Sequence, residues 1–328
     1  MSNSPIADLS YRHYDGPLTG VSKRWWSIAK MTMQVATKRR GFWGWSLFSA
    51  WWFFILLAIF WFADNVLGNI TGQASGANLF LKQIVWKDQF LHGYSFSQLI
   101  LMIITLMIGV GSIANDNRAN ALLVYLSKPC SRFDYVFGKW LGIFILISLV
   151  SFVPMMIFWL YGFMSFQQYG FWSNAPWLPI KLAAMSMCSG ALHASVGLAI
   201  SSMFNQGRLA GATYAGIYFI SNIFTKVVGG FYVFSVRRTG QTGSVLKQFF
   251  YASIDGIQIG LSKVFLGTEG SLILPFMAPP PRNGRQLTTA EIIVGSPSAA
   301  WILPVFLVVV VGGFAIAYSR IKAVEVVG

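Results

Sequence analysis

Few side chains in this sequence have the types and spacing that chemistry requires. No G-x-x-x-x-G-K-[ST] run occurs, so the chain lacks the glycine loop and lysine that cradle nucleotide phosphates. No Cys/His spacing suits zinc, and neither G-x-S-x-G nor H-E-x-x-H is present. Cys130 and Cys188 fall in a polar segment and an apolar run, a placement that argues against a structural disulfide. Two features are left. One is His193, an ionisable side chain deep in an apolar run beside Ser189, Gly190 and Ser195, read either as a neutral packing residue or as a group that contacts cargo or senses protons. The other is a polar, partly basic stretch between two apolar runs.

That stretch, GVGSIANDNRANALLVYLSKPCSRFDYVFGKW over 109–140, begins with Asp116, Asn117, Arg118 and Asn120. It continues through the apolar run Ala121 to Leu126 and then meets Ser127-Lys128-Pro129, where proline disfavours helix in the residue before it. The expectation is a short helix, a break and a second helix start. A merely solvated loop needs no apolar run of that length. A helix that grips a soluble partner from the membrane surface needs an apolar face with charged shoulders, so 114–132 reads as a docking element. Its apolar anchors are Leu122, Leu123 and Leu126, and Asp116, Arg118 and Arg132 set orientation.

The pattern of an acidic residue after a membrane span, a Leu-Leu helix, Pro-x-Ser-Arg and then Gly-Lys at the next span resembles the membrane subunits of ABC-2 type transporters. Here those positions are Asp116, Leu122-Leu123, Pro129-Cys130-Ser131-Arg132 and Gly138-Lys139. The usual Glu and Gly-Thr-Leu are replaced by Asn117-Arg118-Ala119-Asn120. The resemblance implies that the segment is a cytoplasmic coupling helix resting on a separate ATPase. It further implies a complex of an ABC ATPase subunit dimer with a second permease copy or a related permease, and ATP and Mg bound by the ATPase, with no cofactor in this chain. Export is the implied direction, and the cell inner membrane the implied location.

The chain-wide pattern agrees with a membrane protein. Of 328 residues, 55% are hydrophobic, 16% aromatic and only 10% charged, well below the roughly 25% charged residues of soluble domains. The net charge of +14 clusters at the ends of apolar runs, which argues for orientation signals and against nucleic acid. Residues 1–20 read as a cytoplasmic tail. Over 21–40, Val21, Trp25, Ile28, Met31 and Val35 share one helical face amid lysines and arginines, the pattern of an amphipathic interfacial helix on membrane lipids.

Six apolar runs of spanning length follow within 41–328, at about 43–62, 96–113, 140–161, 181–204, 209–225 and 299–318. Lysine and arginine concentrate in the N-terminal region, in 114–139 and after the sixth run, which places both termini and the docking segment in the cytoplasm. On these boundaries His193 is the one deep ionisable side chain apart from cysteine and tyrosine. Such scarcity speaks against an ion-coupled carrier.

The long segment 226–298 goes outside, and its part 245–266 reads as an amphipathic helix on the outer face. Trp43, Trp45, Trp51, Trp140, Trp172 and Trp177 read as interfacial anchors. Ser186, Gly190 and Ala194, and likewise Ala212 and Gly216, put small residues four apart, suited to close helix packing in the bundle or at a subunit seam. The expectation is an all-α integral membrane permease with six transmembrane helices, without an ATPase site of its own. The alternative is a membrane-embedded enzyme or envelope assembly factor with a polar centre near His193.

Overall fold

The computed structural model describes residues 23–63, 65, 84–121, 130–167, 171–173, 175–240, 245–272, 288 and 291–321. The tail 1–20, the start of the amphipathic stretch, and Leu122, Leu123, Leu126 and Pro129 lie outside them. The described residues form helices and no strand, and six helical segments are long and apolar enough to cross a membrane. The helices are α1 (Arg24–Thr37), α2 (Arg40–Phe48), α3 (Trp51–Phe62), α4 (Trp86–Ile108), α5 (Ser112–Arg118), α6 (Arg132–Ser165), α7 (Leu178–Ser202), α8 (Gly207–Thr239), α9 (Val245–Phe249), α10 (Ile254–Leu266) and α11 (Ala299–Arg320).

The six spans are Arg40–Phe62, Trp86–Arg118, Arg132–Ser165, Leu178–Ser202, Gly207–Thr239 and Ala299–Arg320. Span four is the centre of the bundle: 72% of its apolar window is buried, against 6% for span six. That explains its serines and His193, because a helix surrounded by protein can carry polar groups that find partners there. Ser186, Ser189, His193, Ser195 and Ser201 are all buried. Gly190 lets span three approach, since a Cβ there would stand 2.7 Å from the Phe144 carbonyl oxygen. Gly313 does the same for span six against the Ser195 carbonyl, at 2.9 Å.

Several spans extend past their apolar runs, and this corrects the charge reading. Span two begins at Trp86 and so contains Lys87, Asp88 and His92, and span five runs on past Lys226 to Thr239, where Gly240 ends it at φ +74°. His193 is therefore not the only ionisable group inside the spanning helices. Hydropathy counting stopped at the first charge, whereas the helix continues wherever protein supplies a partner. Asp88, 2% exposed, accepts a hydrogen bond from the Thr268 hydroxyl at 2.5 Å.

The segment 245–266 also differs from the expected surface helix. It is two helices, and α10 is inserted in the bundle with Gln258 and Lys263 only 1% and 5% exposed. Its N-cap Ser253 accepts the Gly256 N–H at 3.0 Å and the Thr225 hydroxyl at 3.2 Å, so α10 starts midway along α8. It then runs toward the end of the bundle where α4 begins, and Thr268 just beyond it meets the first turn of α4. Lys263 donates to the carbonyls of Val294 at 2.6 Å and Glu269 at 3.0 Å. Burial pushes its ammonium down to about 8, against the opposing pull of Glu269 and Asp88.

The aromatic excess has a second home besides the interface. Phe60, Trp86, Phe158, Phe166 and Phe171 pack at ring separations of 5.1–6.0 Å in a buried cluster on spans one to three and the connection that follows. Trp43, Trp172 and Trp177 are exposed, as an anchor must be, but Trp140 turns inward and donates its indole N–H to Ser195 Oγ at 2.8 Å.

Candidate functional site

The short helix α5 is positioned by three spans. After α4 the chain turns through Gly109–Gly111, and the first amides of α5 need an acceptor because a helix N-terminus leaves its N–H groups unpaired. Ser201 of span four supplies it: its Oγ accepts the N–H of Ile113 and of Ala114, both at 3.0 Å. Span five touches α5 at Gly111 and Asn115, where a Cβ on Gly207 would stand 2.6 Å from Asn115 Oδ1. Asn117 Nδ2 reaches the Phe204 carbonyl at 3.5 Å, on the connection between spans four and five.

Span three makes the charged contact. Asp116 Oδ2 accepts the Tyr135 hydroxyl at 2.6 Å and pairs with Lys139 Nζ at 2.9 Å, and Lys139 also reaches the Ser112 carbonyl at 3.5 Å. Tyr135 and Lys139 are four apart on one helix, so both side chains lie over the same face and converge on one carboxylate. The side chains of the pair are 12% and 21% exposed, enough shielding for a charge-assisted bond on the order of 1.5–3 kcal/mol. The far end of the docking segment is fixed in turn. Ser131 caps α6, its Oγ accepting the Asp134 N–H at 3.0 Å while its own N–H donates to Asp134 Oδ2 at 3.1 Å.

Of the residues singled out from sequence, Asp116 and Arg118 lie on α5 and Arg132 opens α6. Asp116 turns toward span three, whereas Arg118 and Arg132 are exposed. Sequence reasoning missed Tyr135 and Ser201, and the i, i+4 pair Tyr135/Lys139 was a signal that could have revealed the first. A profile described as ABC-2 family transporter protein matches residues 26–321, nearly the whole chain. The chain belongs to the ABC-2 transporter family. An ABC-2 chain of this kind is a transporter's membrane subunit, and it is a multi-pass membrane protein. The comparison with curated proteins gave no match.

The second polar centre of this ABC-2 chain surrounds His193, which is fully buried. His193 Nδ1 lies 2.6 Å from the Tyr214 hydroxyl of span five, and Nε2 lies 3.2 Å from Gln258 Nε2 of α10. The amide of Gln258 is oriented by its other neighbours. Its Nε2 is 3.1 Å from the Ile254 carbonyl, which can only accept, and its Oε1 receives the Ser189 hydroxyl at 2.5 Å. Gln258 therefore donates to His193 Nε2, and the ring proton sits on Nδ1 and is given to Tyr214. This is a satisfied network across spans four and five and α10.

Proposed function

We propose that this chain is the permease half of an ATP-driven ABC exporter, docked through segment 114–132 on a separate ATPase subunit dimer that binds ATP and Mg. It pairs with a second copy or a related permease in the cell inner membrane, with both termini cytoplasmic. The observation that carries this reading is the bracing of α5, held by Asp116 to span three, by Ser201 to span four and by Asn115 against span five. A push on a part so held moves the ends of three spans together, which is what conversion of ATPase closure into opening of a pathway requires. Export as the direction rests on the family resemblance.

The test is co-purification of the ATPase and hydrolysis by the complex. Leu122→Ser with Leu123→Ser removes two apolar anchors and is expected to weaken the interface by roughly 2 kcal/mol or more, about thirtyfold. Asn205→Ala, in the short connection between spans four and five, is expected to keep the ATPase. Membrane insertion is checked separately. Retention of the ATPase by the double Ser variant together with its loss from the Asn205 variant would assign docking to the other loop.

A further inference from the structure

A cavity of about 820 Å³ opens between α1, α5 and the start of α8. Its depth is set by the helix ends around it: α2 begins at Arg40, α4 ends at Ile108, α7 ends at Ser202 and α8 begins at Gly207. Contacts tie those ends together: Arg39 donates to the Met107 carbonyl, and a Cβ on Gly111 would stand 3.8 Å from Gly207 Cα. The ends of spanning helices meet the lipid headgroups.

The polar side of the cavity is cationic. Arg39, Arg118, Arg208 and Lys139 line it, and Asp116, the acid among them, is already paired with Lys139. Among the described residues no carboxylate lies within ion-pair distance of the three arginines. The first turn of α8 faces the same space without a side-chain cap, adding the positive end of a 33-residue helix. Ser112 Oγ, also in the lining, is buried and has no hydrogen-bond partner among the described residues. The wall that adjoins Arg39 is apolar, with Met31 and Val35 of α1 exposed at 51% and 48% and Leu106 of α4 also in the lining.

We propose that this cavity holds the phosphate headgroup of an anionic phospholipid, with Arg39, Arg118 and Arg208 on the phosphate and Met31, Val35 and Leu106 along the first carbons of an acyl chain. A soluble anion would use the arginines and leave the apolar wall wet; a zwitterionic lipid would use the wall and offer a phosphate, but it would also bring its own ammonium up to Arg39, Arg118 and Arg208. An anionic lipid satisfies both. Assignment to the cytoplasmic leaflet rests on the proposed orientation, whereas binding itself does not depend on orientation or on an ATPase.

The experiment is native mass spectrometry of the full chain in neutral detergent, titrated with phosphatidylglycerol or with phosphatidylcholine of the same acyl chains. The wild type is expected to favour phosphatidylglycerol by about tenfold or more, because the choline cation of the other lipid is repelled by the three arginines. Arg39→Gln with Arg208→Gln is expected to erase that preference. Arg208→Gln alone, whose side chain has no hydrogen bond to lose among the described residues, is expected to give an intermediate loss in a chain of normal stability. Met31→Ser with Val35→Ser is expected to weaken both lipids while sparing inorganic phosphate. Equal binding of the two lipids by the wild type, or an undiminished preference in the double Gln variant, overturns the site. Full phosphatidylglycerol affinity in the Ser variant, with displacement by inorganic phosphate, overturns the lipid as its source. Exclusion of phosphatidylglycerol by a bound ATPase would give the cavity to the subunit interface, and that too overturns the proposal.

Discussion

His193 has neither ring nitrogen to spare. One gives its proton to Tyr214 and the other takes one from Gln258, in a site with no exposure to solvent. A group that bound cargo or carried protons would have to break one of these bonds first, so the geometry favours the packing role. Removing the ring would leave the Tyr214 hydroxyl and one N–H of the Gln258 amide each short of a hydrogen bond, at roughly 1–3 kcal/mol each, and would open a cavity as well. His193→Ala is therefore expected to lower thermal unfolding in detergent markedly, and His193→Gln to lower it less, since an amide can replace one imidazole bond. If His193→Gln assembles normally yet abolishes cargo movement, the packing role is wrong. At this scale the sequence revealed the histidine but not its partners. Gln258 stands 65 residues away on a stretch whose local pattern reads as surface. Its burial depends on the packing of α10 among spans two, four, five and six, which no local period reports.

At the scale of elements, α1 shows which side of an amphipathic helix meets protein. The apolar stripe Trp25, Ile28, Met31 and Val35 reads as a side turned to lipid; the structure buries Ile28, Ala29, Thr32 and Ala36 and leaves Met31 and Val35 half exposed. The cause lies on span three. A Cβ at Gly138 would stand 2.6 Å from the Trp25 carbonyl oxygen, and one at Gly142 would stand 2.9 Å from that of Ala29. Two glycines four apart make a groove that backbone and small side chains can enter but bulky ones cannot, the same rule that brings spanning helices together. The sequence pattern gave the helix its boundaries within a few residues; its rotation was written on another helix. Gly138→Ala with Gly142→Ala is expected to lift α1 from span three at roughly 1–3 kcal/mol per site. Hydrogen exchange over 24–37 should then rise by tenfold or more. Gly312→Ala, with nothing within 4 Å of a Cβ built there, is the control and should leave exchange over 24–37 unchanged. Unaltered exchange in the double variant would mean that α1 is held elsewhere.

The whole molecule presents two unlike faces to its surroundings. Span six is uniformly apolar outward, with Leu307, Val308 and Val311 exposed, as lipid requires. Span five also exposes Ile220, Ile223, Phe224 and Val227, but there a cleft of about 450 Å³ between it and α4 is lined by Gln98, Asn222, Lys226 and Asp255. Gln98 lies near the middle of α4, so this polar group is at the depth where lipid offers no partner. Polar and ionisable side chains at such depth face protein or a water-filled path. The small residues Ala212 and Gly216 are consistent with a seam and not with the interior of this chain, because Ala212 is exposed and nothing lies within 4 Å of a Cβ built on Gly216. From this contrast the second permease of the proposed complex is expected to cover the face of span five, leaving span six to lipid. A two-fold seam brings a position near its axis against itself, so single cysteines report it directly. In a background with Cys130→Ser and Cys188→Ser, Gly216→Cys, Ile220→Cys and Ile223→Cys are to be compared with Val308→Cys in native membranes. At least one of the span-five positions is expected to give a cross-linked dimer with a short bifunctional maleimide, and Val308→Cys is expected to remain monomeric. A dimer through Val308 alone would place the seam on span six and leave the polar cleft of span five to face something other than a second copy.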